Sequence, residues 1–221
     1  MLNVIDFDGG NIGSVMNCLS RLAIPHQRVT NPKELSADNP ILFPGVGAFG
    51  ATMNRLNSAG LSEAIISRVK AGTPYLGICI GLQVLFESSQ ESPETKGLGL
   101  ISGEVVKFQA NSDAGKAPLK IPQIGWNWIT RSKTADGNTE HHNQPDGFWP
   151  NGYVYFVNSF YPKPQDASCV LYTANYGEPF VAAVQYKNIT AFQFHPEKSS
   201  QFGQNLIATW YQSQSLEKNI N

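Results

Sequence analysis

Apolar positions in the first hundred residues switch repeatedly between a strand period and a helix period. Leu2 to Phe7 reads as a strand, and Asp8-Gly-Gly-Asn11 as a turn with Asn11 as the N-cap of the next helix. Ile12, Val15, Met16, Leu19 and Leu22 then share one helical face. Gln27 to Thr30 and Pro40 to Phe43 read as short strands, and Pro44 to Gly47 as a glycine-rich turn into a helix through Met53 and Leu56. A further helix, near Leu61 to Lys70, keeps Leu61, Ile65 and Val69 in register and stops at Gly72. Strands alternating with helices at this spacing predict a doubly wound, mostly parallel α/β sheet.

Beyond residue 100 the helical period disappears. Glu104–Phe108, Ile124–Ile129, Tyr153–Phe160, Cys169–Thr173, Phe180–Tyr186 and Ile189–Phe194 all read as strands, with Lys187-Asn188 as a hairpin turn. These are expected to be antiparallel additions to the sheet in the C-terminal half. A last helix carries Phe202, Leu206 and Trp210 in register. Gln109 to Lys120 and Arg131 to Asn151 are polar and rich in turn formers, hence surface loops. With neither an internal repeat nor a linker, residues 1–221 are expected to form a single domain.

Composition narrows the classes. At 221 residues, 41% hydrophobic and a net charge of −1, the chain can build a core and carries no strong pull toward nucleic acid or acidic membranes. Cys18, Cys79 and Cys169 are an odd number without a Cys-x-x-Cys pair, so neither a disulfide framework nor a zinc site is expected. No apolar run reaches membrane-spanning length, and the N-terminus lacks the pattern of a signal peptide. The expected setting is cytoplasmic.

The candidate chemistry begins at Pro74-Tyr-Leu-Gly-Ile-Cys79-Ile-Gly81-Leu-Gln83. Tyr75, Leu76 and Ile78 form a buried strand; Leu82, Leu85 and Phe86 recur at helical spacing after it. Cys79 therefore sits at a strand-to-helix corner with glycines two residues either side, the layout of a nucleophile elbow. A thiol at a helix N-terminus feels the positive end of the helix dipole, which favours thiolate. Buried cysteines at strand ends are commonly inert, so the thiol needs a base.

Four histidines are available. His26 has no acidic neighbour, and His141-His142 lies in a polar loop with only Glu140 and Asp146 near, too few for a metal site. His195 ends the strand Ile-Thr-Ala-Phe-Gln-Phe and is followed by Pro196-Glu197. Residues two apart on an extended segment project to one side, so Glu197 can hold one imidazole nitrogen while the other faces a thiol. Strand ends are also where open α/β sheets place their sites. Pro44-Gly45-Val46-Gly47, between a strand and a helix, can present backbone N–H groups to an oxyanion. The rival, phosphate binding, lacks both a Gly-x-Gly-x-x-Gly fingerprint and a following Gly-Lys-Ser/Thr.

With these pieces the chain resembles the class I (triad) glutamine amidotransferases, and within them the glutaminase subunits of imidazole glycerol phosphate synthases. The resemblance runs nearly end to end through Ile5-Asp6 with Gly10-Asn11, Pro44-Gly-Val-Gly-Ala-Phe-Gly50, Leu76-Gly-Ile-Cys-Ile-Gly-Leu-Gln83, Gly97-Leu-Gly-Leu100, Pro122-Gln-Ile-Gly-Trp-Asn127, Tyr155-Phe-Val-Asn-Ser159 and Phe192-Gln-Phe-His-Pro-Glu-Lys-Ser199. It implies a flavodoxin-like glutaminase domain and hydrolysis of glutamine to glutamate and ammonia without a cofactor. Cys79, His195 and Glu197 would be the triad, and Gly45, Val46 and Gly47 the oxyanion hole. Gln83 and Glu91 would bind the substrate's polar groups. Asn11, Tyr155, Asn158 and Lys198 match positions at a partner interface or ammonia route. The partner implied is a cyclase, in a heterodimer of histidine biosynthesis. The resemblance further implies that the isolated chain hydrolyses glutamine poorly until that partner sets the 45–47 loop.

The chain departs from the family pattern at Asn158 and Gln123, where histidine is common, at Asp8-Gly9, and in the longer polar stretch 131–151. These departures lie near the expected partner face and leave the triad untouched. Three other readings stay open: a glutaminase feeding another acceptor, such as a surface-sugar amidotransferase; a non-catalytic scaffold; and a cysteine peptidase on a similar fold.

Overall fold

The computed structural model describes residues 1–9, 12–109, 119–132 and 149–217. Asn11 with its expected cap, the His141-His142 pair, Glu140, Asp146 and most of both polar stretches lie outside the described residues. In chain order the first half contains β1 (Leu2–Ile5), α1 (Ile12–Arg21), β2 (His26–Val29), β3 (Ile41–Phe43), α2 (Phe49–Ser58), α3 (Leu61–Lys70), β4 (Tyr75–Ile78) and α4 (Ile80–Gln83). The second contains β5 (Ser88–Ser89), β6 (Gly103–Lys107), β7 (Gln123–Arg131), β8 (Gly152–Asn158), β9 (Phe160–Pro164), β10 (Val170–Tyr176), β11 (Glu178–Tyr186), β12 (Ile189–Phe192) and α5 (Ser200–Glu217).

Nine strands form one sheet in the order β2-β1-β3-β4-β12-β11-β10-β7-β8. The first five are parallel and the remaining four continue antiparallel; of the strands expected as antiparallel additions, β7, β8, β10 and β11 are so, whereas β12 runs parallel to β4 at the centre and β6 lies outside this sheet. The parallel part has the strand order of flavodoxin-like folds. Helices cover both faces because the short central strands alternate. In β3, Leu42 packs with Val15 and Leu19 of α1 and Leu206 and Trp210 of α5, whereas Ile41 and Phe43 pack with Met53, Leu56 and Ile65 of α2 and α3. Lys187 adopts φ +51° at the turn between β11 and β12, which closes the expected hairpin.

Three elements differ from expectation. The helix after Cys79 is a single turn: Leu85 and Phe86 are buried but lie beyond it. The carbonyls of Val84, Leu85 and Phe86 are taken instead by the N–H groups of Leu98, Leu100 and Gly99, and only glycine fits at 97, because a Cβ there would lie 2.0 Å from the Phe86 oxygen. The Tyr153–Phe160 run is broken at Ser159, so that β9 leaves the main sheet and pairs antiparallel with β6, which pairs with β5 on its other side in a second, three-stranded sheet. Cys169 precedes its strand, in a 3-10 turn capped by the Asp166 side chain.

Register carries the ends of β4 and β12 to one place. Ile78 pairs with Phe192, and the Cys79 N–H donates to the Phe192 carbonyl at 2.8 Å. The antiparallel strands curl back so that β8 meets the segment following β12, where the His195 N–H donates to the Tyr155 carbonyl at 2.9 Å.

Candidate active site

Cys79 occupies the corner between β4 and α4 with φ +53° and ψ −103°. Such backbone in a side-chain-bearing residue costs about 1–3 kcal/mol and persists only where its surroundings over-determine it. Here they do. A Cβ on Gly77 would lie 2.5 Å from the Gly81 carbonyl oxygen, and one on Gly81 would lie 2.0 Å from that of Phe43. The buried Tyr75 hydroxyl donates to the Gly81 carbonyl at 2.6 Å, and the Cys79 carbonyl accepts from Leu82 and Gln83. Because α4 has only four residues, the dipole expected to assist the thiol is that of one turn.

His195 and Glu197 meet as the i, i+2 spacing predicts, but through a turn: Pro196–Lys198 form a 3-10 helix, not an extended strand end. Nδ1 of His195 lies 2.9 Å from Oε1 of Glu197, with both side chains buried. The Ser199 hydroxyl locks this turn, donating to the His195 carbonyl at 2.7 Å and accepting from the Tyr155 N–H at 2.9 Å. The other ring nitrogen, Nε2, is buried without a hydrogen-bond partner. Burial alone would push the imidazole down from its ordinary value. The charge and proximity of Cys79, and then those of Glu197, overcome burial and hold the imidazole up, at about 10. The surroundings of the ring therefore favour imidazolium.

A cavity of about 260 Å³ opens beside Cys79, walled by Val46, Gly47, Gln83, Glu91, Pro122 and the 157–160 segment. Val46 also lines a much smaller space with His195, Glu197 and Lys198, so the 45–47 loop stands between the thiol's cavity and the imidazole's. Gly45 has φ +141°, and a Cβ there would sit 3.0 Å from the Phe7 ring, so the loop depends on glycine at this position. Its far end is pinned: the Phe49 N–H donates to Glu91 Oε2 at 2.7 Å and the Gly50 N–H to the Ser92 hydroxyl at 3.2 Å, supplying the caps that Ala48 cannot. Glu91 thus caps α2 as well as facing the cavity. Two larger clefts, of about 520 and 570 Å³, bring neither cysteine nor histidine to their walls.

Of the remaining expected positions, Asn158 is buried in the cavity wall and donates to the Phe160 carbonyl at 3.0 Å. Tyr155 is half-buried against Trp126, Lys198 is exposed, and Asn11 lies outside the described residues. Sequence reasoning missed Gln193, Ser199, and the aromatic face of β7 and β8. The first had a signal in the sequence, its place two residues before His195, although the structure bends at 193–194 and does not extend there.

The chain matches the glutamine amidotransferase class-I family over residues 3–212. It is 38% identical over 207 residues to the "Imidazole glycerol phosphate synthase subunit HisH" of Syntrophotalea carbinolica, covering 94% of this chain and 97% of that protein. It is 36% identical to the chloroplastic "Imidazole glycerol phosphate synthase hisHF" of Arabidopsis thaliana, covering 94% of this chain and 33% of that longer protein. Among solved structures, a crystal structure of a glutamine amidotransferase superposes with a TM-score of 0.68 over 96% of this chain and 97% of that one, at 17% identity. A cysteine at a strained strand-to-helix corner beside a buried His–Glu pair, on this strand order and with these relatives, has one reading: the chain belongs to the class-I glutamine amidotransferase family.

Proposed function

We propose that the chain is the glutaminase subunit of an imidazole glycerol phosphate synthase, which makes ammonia from glutamine and passes it to a cyclase subunit in a cytoplasmic heterodimer. The observation that carries the chemistry is the buried His195–Glu197 pair at 2.9 Å beside the thiol of Cys79, at the mouth of a small cavity. That cavity is smaller than the ~300–1,000 Å³ usual for drug-sized ligands, which suits a free amino acid.

In this reading Cys79 Sγ attacks the side-chain amide carbon of glutamine. The oxyanion is met by N–H groups of the Gly45-Val46-Gly47 loop and of the turn after Cys79. The His195 imidazolium protonates the departing nitrogen, releasing ammonia and leaving a glutamyl thioester. Neutral His195 then takes a proton from water, which hydrolyses the thioester to glutamate. Glu197 holds the ring throughout. Gln83 gives N–H bonds to Gln193 and the Phe160 carbonyl, so its amide oxygen is left to accept from the substrate's α-ammonium, with Glu91 supplying charge.

Support for a docked partner comes from the outer face of β7 and β8. Ile124, Trp126, Trp128 and Tyr153 are 60%, 52%, 45% and 60% exposed there, next to Tyr155. A contiguous exposed aromatic face is a mark of an interaction site. Further support is the Arabidopsis relative, in which the matching region is one third of a longer synthase, leaving length for a second activity.

The test is reconstitution with the cyclase subunit of the same host. Glutamine-dependent synthesis should need both chains, and glutamine hydrolysis by the chain alone should be slow. Cys79→Ala should abolish glutamine-dependent synthesis and leave ammonia-dependent synthesis intact. Full hydrolysis without a partner, or recovery of a sugar-modifying synthase as the native partner, overturns the assignment of pathway. Loss of both syntheses makes Cys79 structural.

A further inference from the structure

A chain of side-chain amides ends on the nucleophile. Gln193 is fully buried, and its Nε2 lies 3.8 Å from Cys79 Sγ, at the long end of nitrogen–sulfur hydrogen bonds. Its Oε1 accepts from Gln83 Nε2 at 3.1 Å, and the same Gln83 nitrogen donates to the Phe160 carbonyl at 3.3 Å. Gln83 spends both N–H bonds in this way, so the amide of Gln193 has only one orientation: oxygen to Gln83, N–H to the sulfur. The backbone is equally constrained, since the Gln193 N–H donates to the Ala182 carbonyl at 2.8 Å. His195 and Gln193, on the bend that follows β12, converge on one sulfur.

We propose that Gln193 is a positioning residue for the reaction: its amide N–H steadies the Cys79 thiolate, in an orientation set by Gln83. The inference rests on Cys79 being the nucleophile. With a four-residue helix behind it, the thiolate has little dipole to lean on, and a buried anion is costly without fixed donors. Gln193 supplies one that is not in the cavity wall and need not move when substrate enters. Gln83 supplies the link by which occupation of the cavity bears on the sulfur, because it faces both.

The test reads the thiol without substrate. The rate of Cys79 alkylation by iodoacetamide is followed against pH in the full chain, with site occupancy read by peptide mass. Gln193→Met keeps the volume and removes the donor. It should move the alkylation profile up by roughly half to one pH unit, slowing reaction near pH 7 by about three- to tenfold. In the complex, kcat for glutamine should fall by a similar factor with KM changed less. Gln83→Met removes the orienting partner and leaves Gln193 in place, so it should shift the alkylation profile the same way by a smaller amount. It decides the matter should Gln193→Met not fold. Superimposable profiles for wild type and these variants overturn the proposal. Retention of glutaminase turnover by Cys79→Ala would instead remove the nucleophile assignment on which it stands.

Discussion

His195 is pulled two ways, and which pull wins sets a pH signature. Burial favours the neutral ring; interaction with Cys79 and Glu197 favours imidazolium and prevails, lifting it from the ordinary 6.5 to about 10. A group raised on folding adds stability that is complete below the unfolded value and disappears as pH climbs through the folded one. Stability from this cluster should therefore be full below about pH 6.5 and decline toward pH 10. Glu197→Gln keeps the shape and removes the negative charge. At pH 7 it should cost about 2 kcal/mol, less than deleting a buried partner outright, or on the order of 4–8 °C in Tm. Thermal melts at pH 7 and 9.5 check this: the gap between wild type and variant should narrow at the higher pH, and an unchanged gap sinks the assignment. The proposed triad was legible in the chain because each member sits in a local pattern: a glycine-flanked corner for Cys79, a two-residue spacing for His195 and Glu197. Gln193 is equally near His195 in sequence, yet its proposed role depends on Gln83, 110 residues away, a contact that no local pattern contains.

At the scale of elements, periodicity located the strands and long helices because burial on one or two faces dictates both. It failed where carbonyls chose distant partners. Leu82, Leu85 and Phe86 keep a helical spacing, but the 97–101 segment competes for the helix's carbonyls and ends it after one turn. The His–Glu turn shows the same competition. Ser199 ties the His195 carbonyl to the Tyr155 N–H, so the triad turn and β8 are held as one unit by a hydroxyl with no exposure. Ser199→Ala leaves a carbonyl and an N–H without this partner, which costs about 1–3 kcal/mol. The expected outcome is a lower Tm together with a several-fold loss of glutamine-dependent turnover in the complex, ammonia-dependent turnover being unchanged. Loss of stability with full glutaminase activity would mean that β8 does not help to place His195.

For the whole molecule, the parallel half was readable from alternating periods, whereas the second sheet was not, since its edge strand continues β8 in sequence and departs only at Ser159. The outer face of β7 and β8 likewise reads in sequence as an ordinary strand pair, because the pairing of its aromatics is set by register. Trp126 faces Tyr155 and Trp128 faces Tyr153 across the ladder, with ring centroids 6.1 and 5.0 Å apart. Their inner neighbours are of another kind: Gln123 and Asn158 are buried opposite one another, Asn158 in the cavity wall. The same two strands therefore carry the exposed aromatics and, at Val157 and Asn158, part of the cavity wall, so a partner seated on the aromatics would lie beside the cavity. Burying Trp and Tyr at the centre of an interface typically carries most of its binding energy, at about 2 kcal/mol or more for the anchors. Trp126→Ala and Trp128→Ala should each weaken cyclase binding about tenfold or more in calorimetric titration, with little change in Tm because both rings are already half exposed in the free chain. Saturating cyclase should restore turnover. Glu63→Ala, exposed on α3 among helices of the opposite flank, is the control and should leave affinity unchanged. Equal affinity for the tryptophan variants and the control would move the partner to another face of the molecule.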